Sequence, residues 1–130
     1  MQYLKIAQIW AESSSATKLK VGAVVVKDST IISDGYNGTP RGFDNSCEDE
    51  NGNTFPHVLH AEANAITKLA KSTQSSSGST LYTLVSPCLE CAKLIIQSGI
   101  VRVVYAQEYR LLDGIQLLHK AGIELKQINI

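Results

Sequence analysis

The sequence has no surplus of either charge. Twelve Lys and Arg balance twelve Asp and Glu, giving a formal net charge of zero and a pI of about 6.8. That balance supplies no long-range attraction to nucleic acid or to an anionic membrane, while leaving room for a local basic pocket that takes a small phosphate. Cysteine is scarce too. The three residues Cys47, Cys88 and Cys91 are an odd number, too few for a disulfide scaffold, and they suit a reducing compartment. No stretch approaches the roughly 20 consecutive apolar residues a membrane helix needs. The start, Met1 to Trp10, carries Lys5 and lacks the apolar run of an export signal. There is no internal repeat, and the one low-complexity segment, Ser72 to Ser79, reads as a Ser-rich loop. These absences predict a soluble, cytoplasmic chain with no nucleic-acid or membrane partner.

What is present is enough for one domain over residues 1–130, with 44% hydrophobic residues to build a continuous core. Tyr3, Ile6, Ala7, Ile9 and Trp10 recur at helical spacing, so Met1 to Ser13 reads as an amphipathic helix. Val21 to Val26 is a β-branched run typical of a buried strand. Asp28-Ser29 turns the chain into a second strand, Ile31 to Tyr36, making an antiparallel hairpin. From Asn37 to His57 the periodicity vanishes, and a loop of that length is often functional. Helical spacing returns from His60 to Ala70. Strands are then predicted at Leu81–Val85, Val101–Ala106 and Glu124–Ile128, with helices at Cys88–Ser98 and Leu111–Ala121 between them. Leu89, Ala92, Ile95 and Ile96 make the inward side of the first of those helices. The strand, helix, strand order allows parallel pairing. The expected fold class is α/β: a five-stranded mixed sheet with helices on both faces. The order of the strands is not legible from the pattern.

Two short stretches carry the chemistry, His60-Ala61-Glu62 and Pro87-Cys88-Leu89-Glu90-Cys91. An imidazole and two thiolates can give a tetrahedral zinc ion three ligands, leaving the fourth position for water. Cys88 and Cys91 share a helix face at i, i+3, and Pro87 fits a helix start. The helix N-terminus favours ligated thiolates, and zinc brings the pKa of such a water to about 7. Glu62 stands two residues from His60, off its face, which favours a proton carrier over a fourth ligand. Alone, the Cys pair is equally compatible with a redox pair or half of a structural site. The His-x-Glu on a separate helix start tips the reading to a catalytic centre. Cys47 reads as a plain loop thiol, with a second metal site from Cys47 and His57 as the lesser alternative. His119 reads as a solvated surface residue.

His-x-Glu followed by Pro-Cys-x-x-Cys is the signature of zinc nucleobase deaminases. The match extends through Gly35-Tyr36-Asn37-Gly38-Thr39-Pro40-Arg41-Gly42, His60-Ala61-Glu62-Ala63-Asn64-Ala65-Ile66 and Ser86-Pro87-Cys88-Leu89-Glu90-Cys91-Ala92-Lys93. In these three stretches the chain resembles the deoxycytidylate (dCMP) deaminases of the cytidine deaminase-like superfamily. The resemblance implies a three-layer α/β/α fold and hydrolysis of dCMP to dUMP and ammonia, which feeds dTTP synthesis. It implies one catalytic Zn2+ per subunit and a homo-oligomer, commonly a hexamer. It also implies activation by dCTP and inhibition by dTTP, with Tyr36, Gly38 and Arg41 in the effector motif. Glu62 is the implied catalytic residue, and His60, Cys88 and Cys91 are the implied zinc ligands. Asn37 falls where relatives hold the sugar hydroxyl, and Ala61 offers its N–H to the base. Asn64, Ser86, Pro87 and Tyr109 are the remaining substrate-pocket candidates. Lys18, Lys20, Arg41 and Arg110 are candidates for the phosphate, where charge-assisted bonds are the strong ones. Three other activities stay open: adenosine deamination in tRNA, a dual dCMP/dCTP deaminase, and a zinc-stabilised binding module. Free-nucleoside cytidine deaminases usually carry Cys where His60 stands.

Overall fold

The computed structural model describes residues 2–130. Its elements are α1 (Gln2–Ala11), β1 (Gly22–Lys27), β2 (Thr30–Tyr36), α2 (Ala61–Leu69), β3 (Thr80–Val85), α3 (Leu89–Gln97), β4 (Arg102–Gln107), α4 (Asp113–Lys120) and β5 (Glu124–Gln127). The five strands form one sheet in the order β2-β1-β3-β4-β5. β1 pairs antiparallel with both β2 and β3, while β3, β4 and β5 run parallel. The sheet is therefore mixed, as expected, and its parallel half includes the β4, α4, β5 segment for which the sequence pattern allowed parallel pairing.

The core explains why β1 reads as a continuous apolar run rather than an alternation. Ala23 and Val25 point to one face, where they meet Ala61, Ala65, Ala92, Ile95 and Leu118 of α2, α3 and α4. Val24 and Val26 point to the other face and pack with Ala7 of α1. A strand covered on both faces has no polar side to show. One helix covers one face and three cover the other, giving three layers. No helix is long and apolar enough to cross a membrane among the described residues.

Two expected faces turn out differently. The buried stripe of α1 is Leu4, Ala7 and Ala11, while Ile9 and Trp10 stand 60% and 38% exposed. Apolar residues cover more than half a turn of this helix, so spacing alone could not select the inward side. Leu89 is also exposed, at the first position of α3.

Local devices aim α2 at the site. The β1–β2 turn holds Asp28 and Ser29 at φ 52° and 62°, as a two-residue hairpin requires. α2 then crosses β2 at close range: a Cβ on Gly35 would lie 2.7 Å from both Ala61 O and Ala65 N. The buried Ser33 hydroxyl donates to Ala65 O at 2.6 Å and locks that crossing. The 24-residue connection between β2 and α2 contains only isolated bridges, Gly38↔Leu59 and Glu48↔Thr54.

Candidate active site

His60 and Cys88 occupy the same position on two different helices. His60 is the N-cap of α2 at φ −74°, ψ 158°, and Cys88 is the N-cap of α3 at φ −73°, ψ 173°. Neither side chain caps its own helix, so both are free to ligate. Cys91 follows one turn into α3. Pro87 sits one residue before the cap rather than inside the first turn, and it is fully buried. The N-terminus of α4 backs this loop so closely that a Cβ on Gly114 would lie 2.1 Å from Pro87 O.

His60 Nδ1 lies 3.4 Å from Cys88 Sγ and 3.4 Å from Cys91 Sγ, and all three ligand atoms fall within 4.8 Å of one another. Tetrahedral zinc with Zn–S of about 2.3 Å and Zn–N of about 2.0 Å calls for an N···S separation of about 3.5 Å. The donor set and its spacing fit that ion. Among the described residues it is the one group of three or more His, Cys, Asp and Glu so placed. Cys47 and His57 form no such group. Cys47 is buried beside the Ser15 hydroxyl at 3.4 Å, and His57 is stacked on Phe55 with ring centroids 5.2 Å apart. His119 is exposed on α4.

The three side chains perturb one another's proton affinity. The hydrogen bond with Cys91 holds the Cys88 thiol down to about 3, and the same contact pushes Cys91 up. The Cys88 sulfur in turn raises His60. Glu62, only 5% exposed, lies at the first turn of α2 beside these groups. Its burial raises the carboxyl to about 7, against the lowering effect of its own backbone N–H and the nearby His60.

The cluster opens onto a cavity of about 510 Å³, within the range for small-molecule sites. His60, Ala61, Glu62, Ser86 and Cys88 line it, as do Asn37, Tyr109, Arg110 and Lys18. Ser86 is fixed by donation from Tyr109 N to its Oγ at 2.7 Å. The Asn37 amide is partly spent on backbone. Its Oδ1 accepts from Val21 N at 2.9 Å and its Nδ2 donates to Leu19 O at 2.8 Å. Lys20 lines no part of this cavity, and neither does Asn64. Asn64 Nδ2 donates to Tyr36 O at 2.8 Å and faces a separate cavity of about 440 Å³. That space also takes Tyr36, Gly38 and Arg41, together with Lys68 and Lys71. Asn37 faces one cavity while its neighbours Tyr36 and Gly38 face the other. Sequence reasoning missed Glu48, Gln107 and Glu108 on the rim of the larger cavity. Lone polar residues in loops carry no periodic signal by which to find them.

Known proteins share this arrangement. The sequence profile of the cytidine and deoxycytidylate deaminase zinc-binding region matches residues 1–107. The protein belongs to the cytidine and deoxycytidylate deaminase family, and His60, Cys88 and Cys91 are positioned to hold its zinc ion. Within the family the similarity runs to the deoxycytidylate deaminases. That of Saccharomyces cerevisiae is 35% identical over 98% of this chain, which spans 44% of the yeast protein's length. That of Mycobacterium phage D29 is 39% identical over 82% of this chain and 92% of its own. The dCMP deaminase of cyanophage S-TIM5, crystallised with dCMP and dUMP, superposes with a TM-score of 0.95. It is 47% identical, over 98% of this chain and 94% of that one.

Proposed function

We propose that this chain hydrolyses dCMP to dUMP and ammonia. The observation that carries the proposal is the buried Glu62 carboxyl beside the His60-Cys88-Cys91 cluster, in a cavity that Lys18 and Arg110 also line. Zinc, when bound, supplies Lewis acidity that makes a water molecule nucleophilic near neutral pH. The chain's own residues do the rest. The Ala61 N–H has no partner within the first turn of α2 and is free to hold the pyrimidine carbonyl. Glu62 takes a proton from the attacking water and delivers it to ring N3 as the C–O bond forms at C4. It then takes the proton of the new C4 hydroxyl and passes it to the amino group, so that the C–N bond breaks and ammonia leaves a C4 carbonyl. Asn37 accepts the sugar hydroxyl with its remaining capacity, and Ser86 and Tyr109 shape the wall; Pro87, also a candidate from the sequence, is fully buried and lines no part of the cavity. Lys18 and Arg110 hold the phosphate. Arg110 also lies 5.8 Å from the Tyr109 ring centroid, which restrains both.

The same proposal includes regulation by dCTP as activator and dTTP as inhibitor. The separate cavity lined by Tyr36, Gly38, Arg41 and Lys71 supports it, since cations beside an aromatic ring suit a nucleotide. A cytoplasmic homo-oligomer, commonly a hexamer in this family, completes the proposal. Ammonia release by the zinc-loaded protein tests the substrate assignment: dCMP is expected to turn over faster than deoxycytidine. Equal rates on the two would refute it.

A further inference from the structure

The rim of the larger cavity is a segment with no secondary structure of its own, residues 14–21, and it is strapped down at both ends. Asn37 holds both ends: Ser14 Oγ donates to Asn37 O at 2.7 Å, and the Asn37 amide bonds Leu19 O and Val21 N. Between them a single carboxylate oxygen, Glu48 Oε2, accepts from Thr17 N at 3.0 Å and from Lys18 N at 3.4 Å. Ser15 Oγ adds a bond to Asn45 O. Glu48 is itself fixed in a small tongue. It bridges to Thr54, Asp49 N donates to Asn53 O at 2.8 Å, and Phe55 N donates to Cys47 O at 2.8 Å. A surface loop that only had to connect α1 to β1 would need no such clasp.

What the clasp fixes is the backbone that carries Lys18. Lys18 lines the cavity, and it makes no ion pair among the described residues, so its ammonium is uncommitted. Long side chains lose much rotamer freedom when they hold a ligand, and a fixed backbone lowers that cost. The Glu48 charge is offset by the two N–H groups it accepts from. Desolvation pushes its carboxyl up, but the bonds from Thr17 and Lys18 N, with the nearby Lys18 charge, together bring it below the usual range. The base end of the cavity rests on α2 and does not depend on this clasp.

We propose that Glu48 is a positioning residue for phosphate recognition, acting through the Thr17–Lys18 backbone rather than touching substrate. The proposal deepens the dCMP assignment and rests on it. The test uses the zinc-loaded full chain and measures kcat and KM on dCMP and on deoxycytidine. Glu48→Ala should raise KM for dCMP about tenfold, the equivalent of one well-placed charged contact, with kcat within about twofold. Deoxycytidine, which has no phosphate, should be turned over as by the wild type. Glu48→Gln keeps an acceptor oxygen and should restore most of the dCMP affinity. In a Lys18→Met background, Glu48→Ala should have no further effect, because the residue through which it acts is gone. Equal losses on both substrates, or additive losses in the double variant, would reduce Glu48 to a structural strut and overturn the inference. A wild-type protein with no preference for dCMP would remove the assignment and the inference together. A normal preference with unchanged Glu48→Ala kinetics would remove the inference alone.

Discussion

Gly114→Ala should weaken zinc binding from a residue that touches no metal. In an ordinary helix the change is favourable, since Ala is better than Gly by up to about 1 kcal/mol. Here the new methyl would sit 2.1 Å from Pro87 O, 2.7 Å from Cys88 C and 2.8 Å from Cys88 O, all backbone atoms. Relief needs a shift of about 1 Å between α4 and the Pro87-Cys88 peptide, and overpacking of that kind costs about 1–3 kcal/mol. The clash therefore outweighs the helix gain, and the melting temperature should fall by several degrees. The displaced atoms belong to a ligand residue, so zinc affinity should fall about 10–100-fold, as when the groups orienting a ligand are lost. Chelator competition gives the affinity and calorimetry the melting temperature. Gln116→Ala, on the exposed side of α4, serves as control and should change neither. A Gly114→Ala protein that is more stable than wild type and binds zinc equally well would refute the claim that α4 buttresses the metal loop.

Other outcomes follow from the same geometry. Cys91→Ser should lose zinc and stability together, because ligand loss is coupled to folding energy; unchanged zinc stoichiometry by elemental analysis would contradict its role. Titrating dCTP and dTTP against initial rate should give activation and inhibition, and Arg41→Ala should blunt both. A flat response to both nucleotides would mean the 440 Å³ cavity is not an effector site.

The chemistry was far more legible in the sequence than the sheet order. Metal ligation demands fixed local spacing, so Cys88 and Cys91 at i, i+3 and His60 two residues before Glu62 could be read without knowing where the strands lie. Their convergence at two helix N-caps is the physical form of that pattern. Strand neighbours are set by long-range packing instead. Nothing in Val21 to Val26 says that β1 pairs with β3 across 52 residues of intervening chain. The parallel pairing of β4 with β5 was readable because one crossover helix joins them. The division of the Gly35–Gly42 motif between two cavities was not, since it depends on where α2 crosses β2. The clasp on residues 14–21 was equally hidden, because the side chains that make it are spread from Ser14 to Glu48.

Glu62→Gln, assayed for zinc content and dCMP turnover on the same preparation, tests the central claim most directly. The substitution preserves the shape of the side chain and removes its proton. Zinc should stay at one ion per chain with the fold intact, while turnover falls by at least about 10²-fold, the lower end of what a general acid–base contributes. Loss of the metal, or turnover close to wild type, would contradict the account, since Glu62 would then be a ligand or a bystander.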